Sequence, residues 1–367
     1  MFHSIHGMGA ACSPDYRVPS RASVGAAPTK MAPVLENVTL LLIAVLALAV
    51  IFDYINGFHD TANAIATSVS TRALKPQYAI VMSAIANFVG ALTGTAVAAT
   101  IGTGLVDRNI ESQVVVVAAL LGAIAWNLLT WWLGIPSSSS HALIGGLLGA
   151  TAVAAGFGTW NMDGIVGKVL VPLVSSPILG FVIGFGLMVL LLNLFRRAHP
   201  RIMNDRFRKL QVVSAAYMAF SHGSNDAQKT MGIMTMALVT ARVIPDFHVP
   251  IWVILLAATA ISMGTAIGGW RIIRTMGMRV VKLDPVHGFA AETTAATIIF
   301  GASHFGMPVS TTHVISSAIM GVGSTGRLSA VRWGVARGIV IAWVLTIPAA
   351  AFTAAVAYLV LRPILGN

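Results

Sequence analysis

Long apolar runs alternate with short polar segments along nearly the whole chain beyond residue 33. An α-helix rises about 1.5 Å per residue, so about 20 apolar residues cover a hydrocarbon core of about 30 Å. The pattern therefore predicts an all-α polytopic membrane protein with about 10–12 membrane segments. The apolar runs are 34–54, 78–104, 112–133, 139–156, 164–195, 210–221, 249–270, 286–305, 313–325 and 331–361.

Four segments interrupt this pattern with glycine, proline or polar residues. They lie near 55–71, 134–146, 221–240 and 306–321. Irregular backbone at membrane depth is tolerated only where protein or a water-filled cavity satisfies it. Interrupted segments at corresponding places in two halves are typical of transport sites. We therefore expect discontinuous or re-entrant helices at these places.

Two motifs each occur twice, in the same order. The segment GFHDTAN at 57–63 aligns with GSNDAQK at 223–229, and GIPSSSSH at 134–141 aligns with GMPVSTTH at 306–313. The offsets, 166 residues (57 to 223) and 172 residues (134 to 306), are nearly equal. This spacing predicts one duplicated unit with a small insertion.

Loop charges indicate that the two units have opposite orientations. Residues 271–282 carry four basic side chains, whereas their counterpart holds Asp107, Arg108 and Glu111. Such a mismatch is typical of inverted repeats under the positive-inside rule, which also makes the basic segment near residue 200 cytoplasmic and both termini external. The predicted organisation is a disordered tail (1–33), repeat 1 (34–195), a basic linker (196–209) and an inverted repeat 2 (210–367).

Composition excludes several other classes of protein. Hydrophobic residues make up 56% of the chain and charged residues 10%, against about 25% charged residues in soluble domains. The net charge of +11 does not indicate nucleic-acid binding, because most basic residues lie in short loops between apolar runs. The single cysteine, Cys12, excludes a disulfide scaffold. We find no catalytic constellation and expect no enzyme.

Each second motif places hydroxyl side chains after a proline and before an apolar helix. Serine and threonine are natural N-caps, and a helix start presents free N–H groups and the positive end of a dipole. Two such starts, converging near the membrane midplane, would suit a tetrahedral oxyanion. Simple helix capping is the alternative. The cluster residues are Ser138, Ser139, Ser140, Ser310, Thr311 and Thr312.

Two matching acids, Asp60 and Asp226, lie in the first motifs within apolar surroundings. A carboxylate beside an anion site makes sense as the holder of a cation or proton, and Asn63 adds an oxygen ligand on the same helix face. Lys229 stands where the first half has Asn63. It either attracts the anion, fills the place of a coupling cation, or forms a structural ion pair with Asp226.

Other polar residues in apolar surroundings have weaker signals. Glu292 and Asp53 lack acidic counterparts in the other half, and Glu292 could line a cation or proton path. His141 and His313 match each other, which predicts a hydrogen bond between packed helices.

The four motif segments resemble the duplicated signature of the inorganic phosphate transporter (PiT) family, and the variant is similar to bacterial low-affinity phosphate permeases. The resemblance covers about residue 34 to the C-terminus. It implies phosphate held at the repeat interface by the serine and threonine clusters, with Asn63 and Asn225. Lys229 departs from the family pattern, and its charge adds it to the predicted phosphate site. The resemblance also implies a coupling site for an ion or proton at Asp60, Asn63 and Asp226.

The expected function is therefore secondary active import of phosphate across the cytoplasmic (inner) membrane by alternating access. Because a lysine replaces an expected amide ligand, protons or a neutral metal–phosphate complex are favoured. Sodium symport, transport of another tetrahedral oxyanion such as sulfate, and a channel are the alternatives. We expect no cofactor; the coupling ion is a proton, a divalent metal or sodium. The expected partners are phosphate, membrane lipid and a second copy in a homodimer, with no nucleic acid.

Overall fold

The computed structural model describes residues 40–106 and 112–365, which are nearly all helical. The predicted tail (1–33), Cys12 and the charged loop residues 107–111 lie outside these ranges. Twelve helices occur in the described part. They are α1 (Leu40–Ser70), α2 (Pro76–Ala91), α3 (Ala96–Thr103), α4 (Gln113–Leu133), α5 (Ser139–Ala155), α6 (Met162–Leu194), α7 (Pro200–Thr240), α8 (Ile251–Ile267), α9 (Trp270–Arg279), α10 (Pro285–His304), α11 (Thr311–Gly323) and α12 (Trp333–Leu365).

Helices of the same kind follow each other in the same order in both halves. A long helix (α1, α7) precedes a bent pair, which is bent by 70° between α2 and α3 and by 60° between α8 and α9. A further helix (α4, α10) precedes a short one (α5, α11) that begins within the hydroxyl cluster, and a long helix (α6, α12) ends each half. The division into two repeats and their inversion stay predictions.

Four of the described helices, α1, α4, α6 and α12, are each long and apolar enough to cross a membrane. Counting each bent pair as one span raises this number to six. Helices α6 and α12 also expose large apolar side chains, including Leu190, Val344 and Phe352. Such faces are costly in water and expected against lipid. The chain is therefore a helical integral membrane protein.

Two of the four predicted interruptions are confirmed. The chain leaves the helical conformation between α4 and α5 and again between α10 and α11. In both connections a glycine takes a left-handed conformation, Gly134 with φ 67° and Gly306 with φ 66°. A proline follows two residues later in each connection, at Pro136 and Pro308. Glycine adopts this conformation without a Cβ clash, which explains why each preceding helix ends there.

The other two predicted interruptions are wrong, because 55–71 lies within continuous α1 except for its final residue, and 221–240 within continuous α7. The glycines in these motifs allow close helix packing instead of a break. A Cβ on Gly57 would lie 2.2 Å from the carbonyl oxygen of Ile261 in α8. A Cβ on Gly223 would lie 2.1 Å from the carbonyl oxygen of Asn87 in α2. Each first motif thus packs against the bent pair of the other half.

Helices α1 and α7 contribute opposite ends to two apolar clusters. The N-terminal half of α1 shares one cluster with the C-terminal half of α7, and the remaining halves share the other. This exchange means that the two helices run in opposite directions. The polar motif residues 53–60 and 221–226 lie between the apolar parts of each helix.

Candidate functional site

The first motifs lie on the middle turns of α1 and α7, where their polar side chains are almost completely shielded. Asp60 is 3% exposed, Asp226 0% and Lys229 1%. Residues three apart share one face of a helix, so Asp60 and Asn63 form one short stripe, and Asp226 and Lys229 form the other. These side chains meet within protein and not in a loop.

The hydroxyl clusters cap the starts of α5 and α11, as the sequence predicted. Ser138 has extended backbone, and its Oγ accepts a hydrogen bond from the backbone N–H of His141 at 3.2 Å. Ser310 caps α11 in the same way, accepting from His313 at 3.2 Å. Both helix starts are buried. Their remaining N–H groups and positive dipole ends therefore face the protein interior.

Each first motif contacts the hydroxyl cluster of the opposite half. Asn63 Nδ2 donates to Thr312 Oγ1 at 2.9 Å and to Thr311 Oγ1 at 3.3 Å. At the matching place, Lys229 Nζ donates to Ser140 Oγ. The aligned positions of the two motifs thus make corresponding contacts. These contacts between a motif of one half and the hydroxyls of the other join both halves at one cluster.

The two carboxylates have different partners. Asp60 Oδ1 accepts from His59 Nδ1 at 2.6 Å and from Thr312 Oγ1 at 3.5 Å. Asp226 pairs with Lys229, so the predicted structural ion pair is present. Asp226 Oδ2 also accepts from Thr311 Oγ1 at 3.2 Å. Both acids therefore lie directly beside the start of α11.

His222 stands between the two acids, although it is not among the predicted site residues. Its Nε2 lies 3.2 Å from Asp226 Oδ2 and 4.0 Å from Asp60 Oδ2. Its Nδ1 donates to Asn87 Oδ1 at 2.9 Å, because the Asn87 amide nitrogen is itself committed to Thr265 Oγ1 at 2.8 Å. With Nδ1 carrying hydrogen, Nε2 faces two acceptors and needs a proton or a cation between them.

Three of these side chains could hold a metal ion. Asp60, His222 and Asp226 each offer one ligand atom, and the three atoms lie within 4.8 Å of one another. A mixed set of carboxylate oxygen and imidazole nitrogen suits divalent transition metals. The sequence signal for His222 was its position one helical turn before Asp226.

Two further predicted residues have partly unsatisfied polar atoms. Ser139 Oγ at the start of α5 has no hydrogen-bond partner among the described residues, although the residue is only 1% exposed. Asn225 lies apart from the Lys229 contacts: its Nδ2 donates to Ser303 Oγ at 2.8 Å and to the carbonyl of Met307 at 3.3 Å. Buried polar atoms without a partner are uncommon and require an explanation.

The predicted helix-packing hydrogen bond is not made by His313 within the described chain, although the rings of His141 and His313 pack together. The centroids of His141 and His313 lie 4.8 Å apart. Neither ring nitrogen of His313 has a hydrogen-bond partner among the described residues, and the ring stacks on Trp343 at 4.1 Å. The aromatic neighbour favours stacking over a hydrogen bond at this contact.

Glu292 belongs to a separate polar group that connects α10 with α1 and α7. Its Oε1 accepts from Thr67 Oγ1 at 2.5 Å and from Gln211 Nε2 at 3.1 Å, and its Oε2 accepts from Ser214. Asp53 is fully buried on α1, two turns before the motif acid. Neither residue lies within the Lys229 and Asn63 contacts, and the suggested role of Glu292 on a cation or proton path stays a prediction.

Known proteins resemble this chain over most of its length. A profile of the phosphate transporter family matches residues 56–354. A probable low-affinity inorganic phosphate transporter of Bacillus subtilis is 50% identical, covering 90% of this chain and 100% of the relative. One from Rhizobium meliloti is also 50% identical, covering 87% and 96%.

Structural similarity leads in the same direction. A solved structure described as the sodium-dependent phosphate transporter superposes with a TM-score of 0.82 at 27% identity. The match covers 89% of this chain and 100% of that chain. The duplicated motifs, the buried cluster that joins them and the full-length relatives agree, and the chain belongs to the phosphate transporter family.

Proposed function

We propose that the chain imports inorganic phosphate across a bacterial cytoplasmic membrane as a secondary active transporter. The observation that carries the proposal is the meeting of two buried helix starts with Asn63 and Lys229 from the opposite halves. Helix starts and hydroxyl donors suit an oxyanion with several acceptor oxygens. Uptake into proteoliposomes, with competition by unlabelled sulfate, tests both the transport and the identity of the anion.

The phosphate oxygens are held by the free N–H groups at the buried starts of α5 and α11 and by the hydroxyls of Ser139, Ser140, Thr311 and Thr312. The unpartnered Ser139 hydroxyl supports this assignment, because an added acceptor would satisfy it. Lys229 adds a positive charge beside the same helix starts. A protonated phosphate can also donate to a buried carboxylate, which sulfate at neutral pH cannot do.

We expect Ser139→Ala to raise the KM for phosphate roughly tenfold or more, because a hydrogen bond to a charged group contributes about 1.5–3 kcal/mol. Thr311→Ala has an effect in the same direction. Initial uptake rates in proteoliposomes measure the change. Ser262→Ala is the matched control: its hydroxyl oxygen is also shielded and unpartnered within the described chain, but it lies on α8 in an apolar groove lined by Phe88 and Met263. Equal KM values for Ser139→Ala and the wild type would remove Ser139 from the phosphate site.

The mechanism is alternating access around this occluded cluster. The predicted site residues on α1 and α7 and the six hydroxyl-cluster residues are all at most 3% exposed, so phosphate can reach them only if helices move apart. The contacts that join the two halves, Asn63 with Thr312 and Lys229 with Ser140, are the ones that must loosen. Inverted repeats provide two equivalent ways of opening. The opposite directions of α1 and α7 support the inversion.

For coupling, we favour protons or a neutral metal–phosphate complex over sodium. Moving an anion into a negative interior costs about 2.3 kcal/mol per charge per 100 mV, so a cation must accompany it. The sodium-dependent structural relative makes sodium symport the alternative to test. In this chain, the Lys229 ammonium lies where a sodium ligand would stand, and His222 Nε2 between two carboxylates suits a proton or a divalent metal.

Uptake is expected to respond to an imposed proton gradient, or to an added divalent metal, when sodium is absent. Proteoliposomes with separately imposed proton and sodium gradients, with and without Mg²⁺ or Zn²⁺, provide the measurement. The companion variant is Lys229→Asn, which places at position 229 the amide that the first half carries at Asn63. If wild-type uptake requires sodium and does not respond to protons or metals, Lys229 does not exclude sodium coupling and is instead a structural partner of Asp226.

Topology is expected to place residues 196–209 in the cytoplasm and both termini outside. The structure adds that 200–209 form the first turns of α7. A cysteine introduced at Lys209 in a Cys12→Ser background should resist an impermeant thiol reagent applied to intact cells. One at Asp246, beyond the other end of α7, should react. Reversed labelling would overturn the orientation.

Contact with membrane lipid follows from the membrane assignment. The exposed apolar faces of α6 and α12 are expected to contact acyl chains. A homodimer remains an expectation, which cross-linking in native membranes tests.

A further inference from the structure

A basic cavity opens at the end of α1, away from the buried cluster. Its volume is about 480 Å³. We call it the basic vestibule and define it by four exposed cationic side chains, Arg72, Arg208, Lys282 and Arg332. These residues come from four separate places in the sequence and line one space. The positive-inside rule explains basic residues on this face, but it does not explain why they line one cavity.

The vestibule carries excess positive charge. Asp284 is the one carboxylate in its lining, and Arg208 lies 3.9 Å from Asp205 in an exposed ion pair. Within 40–106 and 112–365, Arg72, Lys282 and Arg332 form no ion pair within 4.0 Å. A concave surface lined by one sign of charge concentrates ions of the opposite sign.

Arg72 reaches the vestibule from an unusual backbone conformation. It lies two residues after the end of α1 and has φ 59°, in the left-handed region that glycine normally occupies. A non-glycine residue there carries an energetic cost. Arg242 lies two residues after the end of α7 in the same conformation, with φ 56°. It is not part of the vestibule lining and therefore provides a natural control.

A polar stripe connects the vestibule with the buried cluster. Thr71, in the vestibule wall, donates to Gln211 Oε1 at 2.7 Å, and Gln211 Nε2 donates in turn to Glu292 Oε1. Thr67, one turn earlier on α1, also donates to Glu292. Asn63 follows one turn further, so the vestibule wall lies about 12 Å along the helix from the phosphate cluster. Polar side chains thus occupy each turn of this face of α1.

We propose that the basic vestibule is a second, transient binding site for inorganic phosphate, on the membrane face that carries residues 196–209. The inference rests on the proposed phosphate transport and adds the route by which the anion leaves or re-enters the buried cluster. Phosphate passes along the α1 stripe when the hydrogen bonds that Gln211 and Glu292 make across it are broken. The ligand is a free oxyanion, because the stripe behind the vestibule leads to the cluster. A lipid headgroup phosphate shares the charge but cannot follow that path.

The test compares phosphate transport from both faces of the membrane. Right-side-out and everted vesicles expose opposite faces, and the reactivity of a Lys209→Cys reporter identifies the face with residues 196–209. Lys282→Gln/Arg332→Gln should raise the KM for phosphate at that face by about three- to tenfold. It should also weaken the salt dependence of the KM there, since screened charges contribute less. The KM at the opposite face should stay unchanged.

Matched controls separate the vestibule from general surface charge. Arg201→Gln/Arg206→Gln removes the same charge from the start of α7, outside the vestibule lining, and should leave both KM values unchanged. Arg72→Asn should reproduce the one-sided increase, whereas Arg242→Asn should not raise the KM at that face. Asparagine tolerates the left-handed conformation, so neither change depends on helix disruption.

Several outcomes would overturn the inference. An unchanged KM, an equal change at both faces, or an equal effect of the control pair would each exclude a phosphate site in the vestibule. An effect that appears with phosphatidylglycerol but is absent in phosphatidylcholine vesicles would assign the vestibule to lipid headgroups. Absence of phosphate transport by the wild-type protein would instead reject the proposed function itself.

Discussion

Asp60→Asn should abolish uphill phosphate accumulation while the protein remains folded. Asp60 is not paired with Lys229, and its neighbours His59 and Thr312 can hydrogen-bond to an amide as well as to a carboxylate. The substitution therefore costs the folded protein little stability. The variant does lose one of two carboxylates that face His222 Nε2, where we place the coupling proton or metal. Accumulation in proteoliposomes under an imposed gradient should fall to background.

Phosphate exchange at equilibrium separates coupling from binding in this variant. Exchange needs the anion site but no net movement of the coupling ion, so Asp60→Asn should retain a measurable rate. Asp246→Asn, an exposed acid in the loop after α7, is the control and should accumulate phosphate normally. Gradient-driven accumulation by Asp60→Asn at the wild-type level would remove this acid from the coupling mechanism.

Asp226→Asn should lose transport and also destabilise the protein by about 3–5 kcal/mol. The substitution leaves the Lys229 ammonium, which is 1% exposed, without its carboxylate partner. A buried charge without a counter-ion costs more than the pair contributes. The midpoint of thermal unfolding in detergent should therefore drop well below that of Asp60→Asn.

The double variant Asp226→Asn/Lys229→Met separates stability from function. Removing both charges eliminates the unpaired ammonium, so most of the lost stability should return, while accumulation should stay absent. This non-additivity is the expected result for two groups in direct contact. An Asp226→Asn protein as stable as the wild type, or a double variant that accumulates phosphate, would contradict the role of the pair.

Short-range signals predicted the two genuine chain breaks. The sequence at 134–138 and 306–310 combines a glycine, which allows a left-handed turn, with a proline and an N-capping serine. Each of these preferences operates within a few residues, so the same turn forms in both halves. The hydroxyl clusters and the ion pair of Asp226 with Lys229 were predictable for the same reason.

Motif glycines misled the prediction because their role depends on a distant helix. Gly57 and Gly223 indicated breaks, but each allows the backbone of a helix from the other half to approach. A glycine that accommodates a neighbour and one that ends a helix look alike when only nearby residues are considered. Which helix packs against α1 or α7 is decided by the fold.

Contacts between the halves likewise separate what local sequence predicts from what the fold decides. The sequence by itself determined a helical membrane protein, two pairs of motifs, the capped starts of α5 and α11 and the identity of the buried acids, because periodicity, capping and hydropathy are local properties. Only the tertiary structure placed Asn63 against Thr312, set His222 between two carboxylates and brought Gln211 to Glu292. Asn63 and Thr312 are 249 residues apart, His222 and Asp60 are 162 apart (60 to 222), and Gln211 and Glu292 are 81 apart. Their meeting depends on how α1 and α7 cross, which no local pattern encodes.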